Sequence, residues 1–275
     1  MGGGVEVYVS GGFDDLRSPD VRFLQEAARM GPLHVLLWSD DLIRDQTGAA
    51  PAFGEAERWY LLQAIRYVSH MTLVGGPATP DELPAEAPPG AIWAVRADEA
   101  HQAKRDHCAV RHLHLRVIAD AEMQGFPVDR EALWEHPTQR KKVIVTGCYD
   151  WLHSGHVRFF EEVSELGDLY VAVGNDANVR HLKGEGHPLL SEDERRYMVG
   201  AIRYVNQAVI TKGMGWMDAA PNIEEIRPDI YAVNDDGDVP EKAAFCAEHD
   251  LDYVVLKRRP KEGLERRSST ALRGF

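Results

Sequence analysis

Read for apolar and polar positions, the second half of the chain alternates short apolar runs with amphipathic stretches. "KKVIVTG" (Lys141–Gly147) is a compact β-branched run, the pattern of a buried strand. "GHVRFFEEVSEL" (Gly155–Leu166) spaces its apolar residues at helical intervals, and "LYVAVG" (Leu169–Gly174) is the next strand. "SEDERRYMVGAIRYV" (Ser191–Val205) opens on a serine suited to cap a helix, with acids in its first turn and an apolar stripe behind them. "DIYAVN", "EKAAFCAEHD" and "DYVVLKR", between Asp229 and Arg258, predict strand, helix and strand. This order predicts an α/β domain with a parallel sheet and right-handed crossovers, Rossmann-like and doubly wound.

The first half repeats the second. A shift of 136 lays Val9–Glu26 over Val145–Glu162, and Val9, Gly11, Asp14, Leu16, Ser18, Val21, Arg22, Phe23 and Glu26 are identical to their counterparts. "GPLHVLLWSDD" falls over "GDLYVAVGNDA". After one gap opposite His187, "EAERWYLLQAIRYV" falls over "EDERRYMVGAIRYV", and a shift of 138 sets Cys108 over Cys246. A repeat this long is a whole domain rather than a solenoid unit. The chain therefore reads as two tandem Rossmann-like domains, 1–118 and 141–275, joined by a polar stretch, 119–140, punctuated by Gly125, Pro127 and Pro137.

The copies part at one turn. His153-Ser154-Gly155-His156 follows a strand and opens a helix, a place where free backbone N–H groups and the helix dipole favour an anion. Gly155 removes a side chain where backbone must approach a ligand. Two imidazoles three residues apart are expected to face one phosphate. Lys183, in "HLKGEGHP", adds a cation, and Ser268, Ser269 and Thr270 precede a short helical stretch. No nucleophile with a paired base appears. Such a site suits phosphoryl or nucleotidyl transfer by positioning and charge stabilisation, with a divalent metal as helper. In the first copy, Arg17 and Asp20 stand where the histidines are, Pro19 where Gly155 is, and Thr47 where Lys183 is.

"GCYDWLHSGHVRFF" resembles the G-x-F-D-x-x-H-x-G-H signature of the cytidylyltransferase-like nucleotidyltransferases. "VGNDANVRHLKGEGHPLLSEDERRYMVGAIRYV" is similar to the corresponding next stretch of glycerol-3-phosphate cytidylyltransferases and of heptose-phosphate nucleotidyltransferase domains. The resemblance implies a phosphate monoester attacking the α-phosphate of a nucleoside triphosphate, CTP before ATP, with pyrophosphate leaving and Mg2+ accompanying the triphosphate. It implies catalytic roles for His153, His156 and Lys183. It implies nucleotide-binding roles for Gly147, Cys148, Tyr149, Asp150, Gly155, Asp176, Arg203, Ser268, Ser269 and Thr270, with Asp176 and Arg203 as a pair. Departures fall at Asn206, in place of the family's aspartate, at the stretched "RRPKEGLERRSST" and at "VNDDGDV", so the acceptor is left open. The tandem arrangement resembles two-domain phosphoethanolamine cytidylyltransferases. It implies a degenerate first copy that supplies the dimer contact within one chain, an intramolecular pseudo-dimer.

Charge and composition narrow the alternatives. A net charge of −13 argues against nucleic acid as the main partner. Three scattered cysteines make no disulfide framework, "MGGGVEVYVSGG" lacks the pattern of a signal peptide, and no apolar run reaches membrane-helix length. A cytoplasmic protein is expected. Cys148 reads as a small turn residue, and the cluster His101–His114 shows no closed zinc spacing. Arg17 and Asp20 read as a vestigial site rather than an effector site. A catalytically silent nucleotide-binding regulator and an inert scaffold are the rival classes. The intact His153, His156 and Lys183 argue against both.

Overall fold

The computed structural model describes residues 4–76, 80–128, 138–257 and 259–272, without the side chains of residues 270 and 271. Two units, Met1–Gly125 and Phe126–Phe275, each hold one five-stranded parallel sheet. The first runs β1 (Val7–Gly11), α1 (Ser18–Ala28), β2 (Leu33–Trp38), α2 (Asp40–Thr47), α3 (Glu55–Ala64), β3 (His70–Val74), β4 (Ile92–Arg96), α4 (Gln102–Arg111) and β5 (His114–Ile118). The second runs β6 (Lys142–Gly147), α5 (Ser154–Leu166), β7 (Asp168–Val173), α6 (Asp176–Lys183), α7 (Glu192–Gly200) and β8 (Gln207–Ile210). It continues with α8 (Ala220–Ile226), β9 (Ile230–Asn234), α9 (Pro240–Glu248), β10 (Asp252–Leu256) and α10 (Ser269–Leu272).

The strand orders are β3-β2-β1-β4-β5 and β8-β7-β6-β9-β10, one order used twice. The register repeats as well: Val9 pairs with Val35 and Val145 with Val171, and all four are fully buried. The inner strands β1, β2, β4, β6, β7 and β9 are largely buried because helices or loops cover both faces, as parallel sheets require, whereas the edge strands β3, β5 and β10 expose part of their length. In each sheet the order reverses beside the first strand, between β1 and β4 and between β6 and β9. A crevice at the carboxyl ends of the strands opens there, which is where such folds bind ligands.

Three features depart from the periodicity. The helix expected over Ser191–Val205 stops at Gly200. Ala201, Ile202 and Val205 then close successive turns through their N–H groups, on to Tyr197, Val199 and Ile202, to feed β8. Helix α8, too short to show a stripe, lays Ile223 against Ile144 and Tyr231. The first unit packs Leu83, Ala87 and Ala91 on its own sheet instead. The first unit also runs past Ile118. Arg22 of α1 donates from Nη2 to the Glu122 carbonyl at 2.8 Å and binds the Met123 carbonyl as well, holding the short helix Asp120–Met123 to it. Among the described residues no helix is long and apolar enough to cross a membrane.

Candidate active site

The site begins where β6 ends. Tyr149 takes a left-handed conformation (φ 53°), and its ring folds back over Gly147. A Cβ at Gly147 would stand 2.7 Å from that ring, so only glycine fits this turn. Asp150, 3 % exposed, accepts the N–H groups of Leu189 and Leu190 at 2.8–3.0 Å and ties the turn to the segment before α7. Arg195, fully buried on α7, completes the frame. Its Nε donates to the Leu190 carbonyl, Nη1 to the Cys148 carbonyl at 2.7 Å, and Nη2 to Asp176 Oδ1 at 2.6 Å.

Helix α5 starts on this frame. His153 caps it, accepting the Gly155 N–H on Nδ1 at 3.1 Å, and is 2 % exposed. That bond places the ring proton on Nε2. His156 stacks on His153 with ring centroids 4.0 Å apart, and its edge meets Tyr149. A Cβ on Gly155 would lie 2.9 Å from His153 Cε1, so glycine here permits the stack. Nearby, Asn175 caps α6 and donates from Nδ2 to the Thr211 and Gly213 carbonyls, while Thr211 donates to the buried Asp218 carboxylate.

A cleft of about 220 Å³ opens beside the turn. Of the residues singled out from sequence, Gly147, Cys148, Tyr149, Asp150, Gly155, His156, Lys183 and Ser269 line it. His153 does not. It packs against the His156 ring, so the structure places one imidazole of the pair, not both, on the cleft wall. Lys183 is the last residue of α6. Ser269 donates to the Trp151 carbonyl, the Ser268 carbonyl accepts from Leu272, and the side chain of Thr270 lies outside the described residues. One pairing is corrected. Asp176 is bound by Arg195, not Arg203, because α7 directs Arg195 inward under the turn while Arg203 falls beyond the helix end, near Tyr204.

Sequence reasoning missed Arg195, and the repeat carried the signal, since Arg58 is its counterpart in "EAERWY". It also missed Lys242, on α9, which lines the cleft with Asn234 and Asp236. Burial pulls the Lys242 ammonium below its ordinary value against the opposing pull of Asp236, Asp238 and Asp218. Burial likewise raises Tyr149 and pushes Tyr231, whose hydroxyl meets Thr146 at 2.8 Å, up to about 12. The hydroxyls of both stay protonated at neutral pH.

In the first unit the same place is filled from within. Asp20 accepts the Arg17 N–H at 2.9 Å and the Arg96 guanidinium at 2.8 Å, and Arg96 covers the Phe23 ring. Asp20 and Arg96 occupy the positions of His156 and Asn234. In the cluster His101–His114, His107 Nε2 accepts the Leu83 N–H and Cys108 is buried in the sheet's packing.

The crevice of the second unit is lined by one histidine and two lysines, with the helix-capping histidine packed against the first. Residues 144–274 match the family model described as cytidylyltransferase-like. An FAD synthase of Ferroglobus placidus is 35% identical over 135 residues, 48% of this chain and 85% of that protein. A bifunctional protein HldE of Citrifermentans bemidjiense is 37% identical over 94 residues, 34% of this chain and 19% of that protein. The solved lipopolysaccharide core biosynthesis protein of Thermoplasma volcanium aligns with 43% of this chain and 98% of its own, at 24% identity and a TM-score of 0.38. The chain belongs to the cytidylyltransferase-like family. It spans most of the FAD synthase but about a fifth of the HldE protein.

Proposed function

We propose that the second unit moves a nucleotidyl group from a nucleoside triphosphate to a phosphate monoester. An acceptor phosphate oxygen forms a bond to the α-phosphorus as the α–β bridging bond breaks, and pyrophosphate leaves with the electron pair. The observation that supports this best is His156 and Lys183 in one cleft at the N-terminus of α5. Backbone N–H groups, the helix dipole and the Lys183 cation favour a polyphosphate there. His156 donates to the oxygens on which charge grows. His153 fixes the His156 ring by stacking, and its own orientation is set by the Gly155 N–H. Arg195 and Asp150 hold the turn rigid, so little reorganisation accompanies the reaction.

Mg2+ in this reading arrives on the triphosphate and neutralises part of its charge. Among the described residues no group of three His, Cys, Asp or Glu could hold a metal, and the carboxylates that line the cleft are Asp150 and Asp236. That suits an ion that keeps most of its waters and binds chiefly through phosphates. The motif resemblance implies CTP as donor. The FAD synthase relatives, whose product carries an adenylyl group, favour ATP, and ATP is the first donor to test with CTP beside it. The first unit is proposed as a non-catalytic partner within the chain. The test is pyrophosphate release by the full chain with ATP, CTP, GTP and UTP against a panel of phosphate monoesters. Release with ATP or CTP that requires a monoester is expected. Triphosphate binding without release for any acceptor would leave the regulator reading instead.

A further inference from the structure

Lys104 is the sole lysine before Lys141, and the repeat sets it over Lys242. In the first unit this residue is 7 % exposed, and its ammonium pairs with Asp81 at 3.1 Å and lies over the Trp93 ring. In the second unit Tyr231 replaces Trp93 and turns its hydroxyl to Thr146. Lys242 is then left on the cleft wall, half-buried, donating to the Gly237 carbonyl at 2.9 Å. Among the described residues no carboxylate forms an ion pair with it. An ammonium has three N–H donors, so two remain for a ligand.

The topology says which ligand. Lys183 closes α6, which follows β7 on one side of the point where the strand order reverses. Lys242 sits on α9, which follows β9 on the other side. The cleft thus has a cation on each wall, and the histidines lie between them, on the turn after β6. Resting on the nucleotidyl-transfer reading above, we propose that Lys242 binds the phosphate of the acceptor, holding the attacking oxygen while the other wall holds the triphosphate. The burial that depresses the Lys242 charge supports this, because a dianion in the cleft would compensate a cation that water no longer stabilises.

The test uses the full chain with two probes. The non-hydrolysable α,β-methylene analogue of the better donor is added to saturation, and inorganic phosphate is then titrated while the melting temperature is followed. Wild type should gain stability from the analogue and again, saturably, from phosphate. Lys242→Met should keep the first gain and lose the second, and Lys242→Arg should recover part of it. In turnover, Lys242→Met should raise KM for the phosphate monoester at least about tenfold with KM for the triphosphate nearly unchanged. Lys242→Gln serves as the second neutral variant if the methionine disturbs folding. Phosphate binding undiminished in both neutral variants, loss of the analogue's gain in either, or no saturable phosphate binding in wild type would each overturn the role of Lys242. Absence of any gain from the analogue in wild type would overturn nucleotidyl transfer itself.

Discussion

Arg58 and Arg195 hold the same position in the two units and share three contacts. Each is fully buried and donates to the carbonyl five residues earlier, to the carbonyl of the second turn residue (Gly12 or Cys148), and to the aspartate that opens the preceding helix (Asp40 or Asp176), and Arg58 binds the Trp38 carbonyl as well. Asp14 and Asp150 likewise accept two N–H groups from the segment ahead of α3 and α7. Phe13 and Tyr149 share a left-handed backbone. A few residues further on the units part, with Arg17, Pro19 and Asp20 against His153, Gly155 and His156. The frame of the turn and its chemistry are therefore separable. Stranding two carbonyls and a carboxylate would cost too much stability for the arginine to be dispensable even where no reaction occurs. The two histidines stand outside that frame, and in the first unit Asp20, at the position of His156, closes an ion pair with Arg96.

The sharpest division should come from the histidines. His156→Ala and His153→Ala should each lower turnover by about 10²–10³-fold, roughly 2.7–4 kcal/mol, while Asp20→Ala and Arg17→Ala leave pyrophosphate release nearly unchanged. An equal loss on both sides would make the first unit part of the reaction. The arginines should behave oppositely, as twins. Arg58→Ala and Arg195→Ala should each destabilise their own unit by on the order of 3 kcal/mol in urea unfolding. A much smaller loss in either would show that the frame does not rest on it. Lys183→Ala should weaken triphosphate use about tenfold, roughly 1.4 kcal/mol, whereas Thr47→Ala, which removes a hydroxyl bonded to the Ile43 carbonyl, should leave turnover alone. Gly155→Ala should cost several-fold in rate through displacement of the His153 ring, with little change in melting temperature. Pro19→Gly should cost only stability, about 0.4–1 kcal/mol.

The smallest effect concerns pH. Burial raises the Asp20 carboxyl above its ordinary value, against the opposing pull of the Arg17 N–H and Arg96. The folded unit then binds that proton more tightly than the unfolded chain. Its stability relative to an Asp20→Asn variant should therefore grow as pH falls through the folded value, and stop growing below the ordinary carboxylate range. Paired urea titrations across acidic pH measure it. A relative stability that falls with acid would mean that the Arg96 pair outweighs burial.

The α/β order, the doubling, and the turn at which an anion is proposed to bind are legible in the chain alone. These are local properties: strand and helix periodicities, a cap, a glycine where backbone must come close, and identical residues at a fixed offset. Folding in three dimensions packs His153 against His156, sets Arg195 rather than Arg203 on Asp176, and brings Lys242 to the cleft on the β9 side. The last two depend on crossovers that bring residues some 19 to 90 positions apart to one end of a parallel sheet, and the choice of partner there follows from which helix face is buried. The two lysines show this best. At one position of one repeated helix, four residues before a buried cysteine in each unit, Lys104 is closed into an ion pair by Asp81 and Lys242 is left to the cleft, because their neighbours in space differ.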